Sequence, residues 1–350
     1  MSLLIVLPKL FLGGAETQMR MLFEHLNEQS RAYILAVDKC DPCLSEKFKK
    51  DNNGFVYEHK IRTRNKVFRY VQELLLLLYS LFYFRWNKGV KNVLIISAWQ
   101  LCLLPIMKIL GFKVLYSERN TGYHKVKFIY RLIKKCDYIS SNSIEAKNVL
   151  ESFIHKKVEI INNAVLINND AQPRLPQRNN SFRILIPARI DRVKNQLLVI
   201  ETFKGIKWCE VHFAGVKFNE EYYKLLIKEI GHYKSQFYFD GFITDMLSYY
   251  RNFDLILLPS IQEGTSNVIL ECFANMFPIM VSNIEMNLRL QNNDAYVFKS
   301  NDKDSLFKQI EAFRKRPLNV IKEDLLFNYE YVKKEFSVQK MVESFRMQLS

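Results

Sequence analysis

Apolar residues recur along this chain in two patterns. Short, dense apolar runs alternate with longer stretches whose apolar residues fall three and four apart. The first pattern is that of buried strands. The second is that of helices covering a sheet, and their alternation predicts an α/β protein with parallel sheets. In the first half the runs predict strands at 3–7, 31–37, 55–59, 93–97, 113–117, 138–141 and 158–161, with helices between them, for example at 15–28 and 146–153. A second alternation predicts strands at 182–187, 210–214, 237–240, 255–259, 279–281 and 296–298. Its helices fall at about 194–203, 220–232, 244–251, 268–275 and 303–316. Between the halves, 168–181 is rich in Asn, Pro, Gln and Arg and poor in apolar residues, a linker composition.

The expected organisation is a first α/β domain over 1–170, a linker over 171–181, a second α/β domain over 182–328 and a helical tail over 329–350. No repeat of 20–50 residues is apparent. The longest apolar run, 74–84, is eleven residues, too short for a bilayer. A buried helix is its default reading. Tyr, Trp, Lys and Arg gathered at its end leave an interfacial helix open. The opening run 3–7 lacks a charged start and a cleavage site and reads as a core strand, not a signal peptide.

Composition narrows the classes further. Hydrophobic residues make up 49% and charged residues 25%, values of a globular protein rather than a disordered one. The net charge is +15. That excess fits a solvated basic surface, anionic lipid headgroups or pyrophosphate-bearing substrates. No nucleic-acid motif accompanies it, so nucleic acid is not expected as a partner. The six cysteines (40, 43, 102, 136, 209, 272) form no disulfide framework and read as reduced cytosolic thiols. Cys40-Asp41-Pro42-Cys43 lacks the second pair that a zinc site needs.

The most informative stretch is Glu263-Gly264-Thr265-Ser266-Asn267-Val268-Ile269-Leu270-Glu271. It follows the strand run ending at Pro259-Ser260 and leads from a small polar loop into a helix. Backbone N–H groups and a helix N-terminus then point beyond the strand, an arrangement that favours phosphate. Upstream, Arg189 and Lys194 stand five apart after the strand that opens the second half. Fixed cations there would stabilise negative charge gathering on a leaving diphosphate. Leu12-Gly13-Gly14-Ala15-Glu16 follows the first strand, where two glycines permit close backbone approach to a ligand. A tight turn with Glu16 in the helix's first turn fits the same residues. Asp240-Gly241-Phe242-Ile243, Tyr116-Ser117-Glu118-Arg119-Asn120-Thr121 and Ile161-Asn162-Asn163-Ala164-Val165 each leave a predicted strand. Of six histidines only His124 follows one of these loops, and it reads as a surface or packing residue. No Ser-His-Asp or metal-ligand cluster is apparent.

Taken in order, these segments resemble family GT4 of the retaining glycosyltransferases. Glu263 and Glu271 match its E-x7-E signature, and 186–194 is similar to its strand–G-R-x5-K element, with Ala188 where Gly is usual. Gly13, Gly14 and Glu16 look like its G-G-x-E start. Ser117-Glu118-Arg119-Asn120 resembles an S-E-R-N variant, with Arg119 where many relatives carry His.

The resemblance implies the GT-B fold, two Rossmann-like doubly wound domains facing a central cleft, with the C-terminal helix packing back on the first domain. It implies Arg189 and Lys194 on the diphosphate and Glu263, with the backbone after Gly264, on the donor hexose. The catalytic assignments are Glu263, Arg189 and Lys194, and Gly264 belongs to donor binding. Glu271 falls to the ribose hydroxyls. Gly13, Gly14, Arg119, Gly241, Phe242, Thr265, Ser266 and Asn267 complete the donor site. No metal and no cofactor are expected.

The activity implied is transfer of a hexose or N-acetylhexosamine, with retention, from a nucleotide diphosphate sugar, UDP-linked in the first place. The acceptor would be a lipid-linked oligosaccharide in bacterial surface polysaccharide synthesis. The cytoplasmic side of an anionic membrane is the expected location. A UDP-sugar epimerase of the same fold and a non-catalytic partner in a membrane glycan assembly are the alternatives.

Overall fold

The computed structural model describes residues 2–7, 14–27, 31–36, 55–58, 66–119, 122–177 and 181–349. They form two compact units. Unit 1 is Met1–Ala164 with Val338–Ser350, and unit 2 is Val165–Ser337.

Unit 1 is built on seven strands, β1 (Ser2–Leu7), β2 (Arg31–Ala36), β3 (Phe55–Glu58), β4 (Asn92–Ile95), β5 (Lys113–Glu118), β6 (Tyr138–Ser141) and β7 (Glu159–Ile160). Their order is β3-β2-β1-β4-β5-β6-β7, and every pairing is parallel. The uninterrupted apolar sequence of β1 follows from that position. Leu4 and Val6 enter the core on one face of the sheet, and Leu3, Ile5 and Leu7 enter the core on the other. A central parallel strand is covered on both faces, so its residues need no polar alternation.

Unit 2 repeats the plan with β8 (Phe182–Pro187), β9 (Cys209–Ala214), β10 (Phe237–Gly241), β11 (Leu255–Leu258), β12 (Ile279–Ser282) and β13 (Val297–Phe298). The order is β10-β9-β8-β11-β12-β13, again all parallel. In β8, Ile184 and Ile186 face one core while Leu185 faces the other. The order reverses between β8 and β11. Chains leaving these two strands turn to opposite faces, which opens the sheet's carboxyl edge at that point and makes it the binding edge of doubly wound folds.

Three expectations need correction. The segment expected as a linker belongs to unit 2. Ala171 is buried in its core, Arg174 N–H donates to Met276 O at 2.9 Å, and Gln177 N–H donates to Asp254 Oδ1 at 2.7 Å. Composition cannot register such backbone anchoring. The first boundary therefore falls at 164/165.

The tail is two helices rather than one. Leu318–Glu335 stays with unit 2, where Val332 and Phe336 are buried with Val165. Val338–Leu349 belongs to unit 1, where Val338, Met341, Val342, Phe345 and Leu349 share a core with Leu3, Ile5 and Leu7. The change of unit occurs at Phe336-Ser337, where Phe336 O accepts from Val165 N–H at 2.9 Å.

The apolar run 74–84 lies inside a 22-residue helix, Lys66–Asn87. Leu77, Leu81 and Phe84 are fully buried, but Leu75, Tyr79 and Phe82 are exposed. Its default reading as a buried helix holds for one face only. Among the described residues no helix is long and apolar enough to cross a membrane.

Candidate active site

The reversal point of unit 2 gathers residues far apart in sequence. After β8 the chain passes Ala188 and Arg189 and forms a short 3-10 turn, Arg192–Lys194. Asn195 then adopts a left-handed conformation (φ +54°) before the helix Gln196–Phe203. Asn tolerates that conformation better than most residues. After β11 the chain runs through Ser260 to Glu263. Ile261 N–H donates to Val193 O at 3.0 Å, locking the two loops side by side.

That lock brings Lys194 Nζ to 2.6 Å from Glu263 Oε1. The same carboxylate oxygen accepts from Ser260 Oγ at 2.6 Å. Ser260 is in turn held by Ser282, whose Oγ donates to Ser260 O at 2.5 Å. Both charged side chains are largely enclosed, so solvent screens the pair less than a surface pair. Glu263 thus orients Lys194, and Ser260 orients Glu263. Ser260 and Ser282 were not singled out from the sequence, and serines at strand ends carry no distinguishing pattern.

Arg189 is placed differently. Its Nε donates to Asp191 Oδ2 at 3.1 Å, and its guanidinium lies over the Phe218 ring, 4.5 Å from the centroid. It remains about half exposed. Gly215, immediately after β9, sets its backbone. A Cβ built there would meet the Ala188 carbonyl carbon at 2.5 Å and Arg189 N at 2.8 Å. Only glycine lets the two loops approach this closely. The small residue expected at 188 is therefore matched by an obligatory glycine across from it, which sequence spacing did not reveal.

The loop Gly264–Ser266 leads into the helix Asn267–Ala274. Ser266 is its extended N-cap residue, is buried, and makes no side-chain capping bond. The first-turn N–H groups thereby keep their outward polarity. A Cβ at Gly264 would meet nothing within 4 Å, so packing does not demand glycine there. Glu271 lies one turn into this helix. Tyr250 Oη donates to its Oε2 at 3.3 Å. Burial pushes the Glu271 carboxyl up to about 7, against the opposing effect of the Tyr250 bond. Tyr250, fully buried, is a further residue that the sequence did not flag.

Gly241 closes β10 at φ +71°, next to a register shift after Phe239. A left-handed position of this kind favours glycine. Phe242 follows, 55% exposed. Asp245 caps the next helix, accepting from Ser248 N–H at 3.1 Å.

The remaining predicted residues lie in unit 1. Gly13 is outside the described residues. Gly14 is exposed and opens the helix Gly14–Asn27, with Glu16 in its first turn. Gln18 on that helix holds Ala164 by both backbone groups, at 2.9 and 2.7 Å. Next to Ala164, Asn163 Oδ1 accepts from Arg119 Nη1 at 3.1 Å.

Arg119 is buried and lies over the Phe345 ring. Its Nε and Nη2 have no hydrogen-bond partner. Burial lowers its pKa to about 10, with the Glu118 charge acting against, so it stays cationic at neutral pH. Glu118, the preceding residue, accepts from Tyr116 Oη at 2.7 Å and lies 2.8 Å from His124 Nε2. His124, read from sequence as a surface or packing residue, thus faces a buried carboxylate six positions back. No periodicity signals such a pairing.

Each unit is a doubly wound parallel sheet. One of them carries a cation–carboxylate pair and a helix N-terminus at its topological switch point. Two such doubly wound parallel-sheet units in one chain are the architecture of the GT-B fold.

Comparison agrees. Residues 168–324 match the family model described as glycosyl transferases group 1, and the match lies wholly within unit 2. Residues 168–324 are thus similar to the group 1 glycosyl transferases, and the chain is an enzyme of the glycosyltransferase class.

Among solved structures, HepE (Alr3699) of Anabaena in complex with UDP and glucose superposes with a TM-score of 0.82 at 14% identity. That match covers 100% of this chain and 99% of the relative. A glycosyltransferase from Rickettsia africae ESF-5 matches with TM-score 0.78 at 18% identity, over 99% and 97% of the two chains. The lipopolysaccharide outer core galactosyltransferase WaaB matches with TM-score 0.72 at 14% identity, over 100% and 99%. At these identities the likeness is one of fold. No curated protein matches the sequence.

Proposed function

We propose that this chain is a retaining glycosyltransferase of the GT4 type. It would move a hexose or N-acetylhexosamine from a UDP-sugar to a lipid-linked oligosaccharide at the cytoplasmic face of a membrane, in the synthesis of a surface polysaccharide. The Lys194–Glu263 pair at the unit 2 switch point, beside the N-terminus of the helix Asn267–Ala274, carries the reading. UDP and glucose in the HepE complex and the lipopolysaccharide role in the WaaB name support the donor and pathway class.

In this reading Lys194 and Arg189 take the diphosphate, together with the first-turn N–H groups of that helix. Glu263 and the backbone from Gly264 to Asn267 hold the hexose. Glu271 accepts from the ribose hydroxyls, and Gly241 with Phe242 meets the base. The resemblance assigns Arg119, Gly13 and Gly14 to donor contacts as well. The acceptor oxygen attacks the anomeric carbon on the face that the diphosphate leaves. The carbon–oxygen bond to the β-phosphate breaks, and a phosphate oxygen takes the acceptor's proton. Positive charge fixed at Lys194 and Arg189 stabilises the developing charge more in the transition state than in the ground state. No metal is required in this scheme.

The test is thermal unfolding with UDP, GDP, ADP and their common sugars, followed by donor turnover with and without lipid acceptor. UDP at a hundred times its dissociation constant should add about 2.7 kcal/mol of stability. UDP-sugar should be consumed only when acceptor is present. Consumption without acceptor would make the protein an epimerase or hydrolase. No shift with any nucleotide would overturn the donor-site assignment.

A further inference from the structure

The positive charge of this protein is concentrated in one stretch of unit 1. From Ile61 to Cys136 the sequence has fifteen Lys and Arg and two Asp and Glu, a balance of +13 within a chain total of +15. The two acids, Glu73 and Glu118, are buried, at 5% and 1% exposure. No acidic side chain of this stretch is therefore presented to solvent.

The same stretch exposes a row of large apolar side chains. On the helix Lys66–Asn87, Val71, Leu75, Tyr79, Phe82 and Trp86 are all exposed. Their spacing of 4, 4, 3 and 4 averages close to the helical repeat, so they form one straight stripe about 22 Å long. Phe82 and Trp86 stack on each other, with ring centroids 5.1 Å apart. The opposite face of the helix, Leu77, Leu81 and Phe84, is fully buried in the unit 1 core. The helix is thus anchored from inside and apolar outside.

At its C-terminal end, Arg85 Nε donates to Leu110 O at 2.7 Å, which brings up Ile109, 84% exposed. Exposed Lys91 and Lys113 lie at this end, paired through Lys113 N–H and Lys91 O at 2.9 Å. Elsewhere in the unit, exposed Tyr123, Val126 and Phe128 interleave with Lys125 and Lys127.

We propose that the outer face of the helix Lys66–Asn87 docks unit 1 on an anionic lipid surface, the stripe from Val71 to Trp86 entering the headgroup boundary with the helix lying in the membrane plane. The inference rests on the lipid-linked acceptor proposed above and names the surface through which the enzyme would reach it. Two observations select a bilayer over a protein partner. Aromatic residues with polar edges, Tyr79 and Trp86, share the stripe with Val71, Leu75 and Phe82, a composition found in interfacial helices. No solvent-facing acid interrupts the basic residues of this 76-residue stretch, which suits a diffuse anionic surface better than a discrete groove.

The experiment is flotation of the full chain with phosphatidylcholine vesicles, with and without phosphatidylglycerol, at low and high salt. The wild type is compared with the triple variant Leu75→Asn, Phe82→Ser, Trp86→Ser. All three positions are exposed, so folding is retained, and the UDP-induced shift in Tm on the same preparations confirms it. The expected result is flotation with phosphatidylglycerol vesicles at low salt, a loss on the order of tenfold in the triple variant, and weak binding to neutral vesicles. Equal flotation of the variant overturns the proposal. So does absence of flotation by the wild type. If that wild type sediments as a dimer and the variant as a monomer, a second copy covers the face. A preserved UDP shift without vesicle binding removes this inference alone. Vesicle binding without any UDP shift removes the donor reading instead.

Discussion

The ammonium of Lys194 lies 2.6 Å from Oε1 of Glu263, a residue 69 positions further along the chain. The pair forms because β8 and β11 are neighbours at the reversal of strand order. Its members are mutually dependent. Lys194→Ala would leave the enclosed Glu263 carboxylate without its cation and, on the proposed assignment, repelling the diphosphate. Glu263→Gln would leave Lys194 less firmly placed.

Each single change should lower kcat for transfer by a factor on the order of a hundred or more. The double variant should be no worse than the worse single one. Steady-state kinetics in a double-mutant cycle checks this. Additive losses would show that the two residues act separately.

With Glu271 on the ribose as proposed, this carboxyl couples donor binding to stability with opposite signs. Its pKa rises from 4.5 to about 7 in the folded protein because burial disfavours the carboxylate. The folded state therefore binds the proton more tightly, and stability contributed by this group is present below its unfolded pKa. It is lost as pH climbs from about 4.5 through about 7, by up to about 3 kcal/mol. Glu271→Gln should raise Tm at pH 8 while weakening UDP binding. It should also flatten the fall of stability across that window. Calorimetry at several pH values with and without UDP reads both effects. A lower Tm for the variant at pH 8 would count against the assignment.

Gly215 should be the least replaceable glycine of the site. Gly215→Ala forces the Ala188–Arg189 backbone to move, since the new carbon would overlap Ala188. A destabilisation of about 1–3 kcal/mol is expected in urea unfolding. Displacement of Arg189 should raise the KM for donor beyond what reduced folding explains. An unchanged KM at full folding would mean that the position of Arg189 is not set from Gly215.

Arg119 offers a case where loss of charge need not harm the fold. Two of its buried nitrogens lack partners, so Arg119→Met removes an under-satisfied cation and keeps most of its bulk. Stability should change little or increase. Transfer should fall if the guanidinium meets the donor, as the resemblance implies. A variant with full transfer activity would confine Arg119 to a packing role.

Phe345 tests the exchange of the tail between units. It is fully buried in unit 1 among residues of the first two strands. Phe345→Ala should cost about 3–5 kcal/mol in unfolding free energy, an effect far larger than a loosely attached tail would give.

The order of elements was legible from the chain alone because its physical cause is local. The apolar runs at 3–7 and 182–187 mark central parallel strands, buried on both faces and therefore free of polar alternation. The loop 263–267 and its helix were legible for the same reason, since glycine, small polar residues and an apolar helix follow one another directly. The resemblance to group 1 transferases also lay in short contiguous motifs.

What the tertiary structure alone decided depends on strand neighbours and on contacts distant in sequence. The pairing of Lys194 with Glu263 follows from the switch between β8 and β11. The close approach of Gly215 to Ala188 follows from the pairing of β8 with β9. The burial that lifts Glu271 and the carboxylate that faces His124 likewise come from residues packed around them. The division of the tail at Phe336-Ser337 has the same origin, because amphipathic spacing shows that a helix has a buried face and not which core will cover it. The helix Lys66–Asn87 makes the point in reverse. Its sequence is apolar nearly all round, and only the fold shows that one face is packed and the other lies open to solvent.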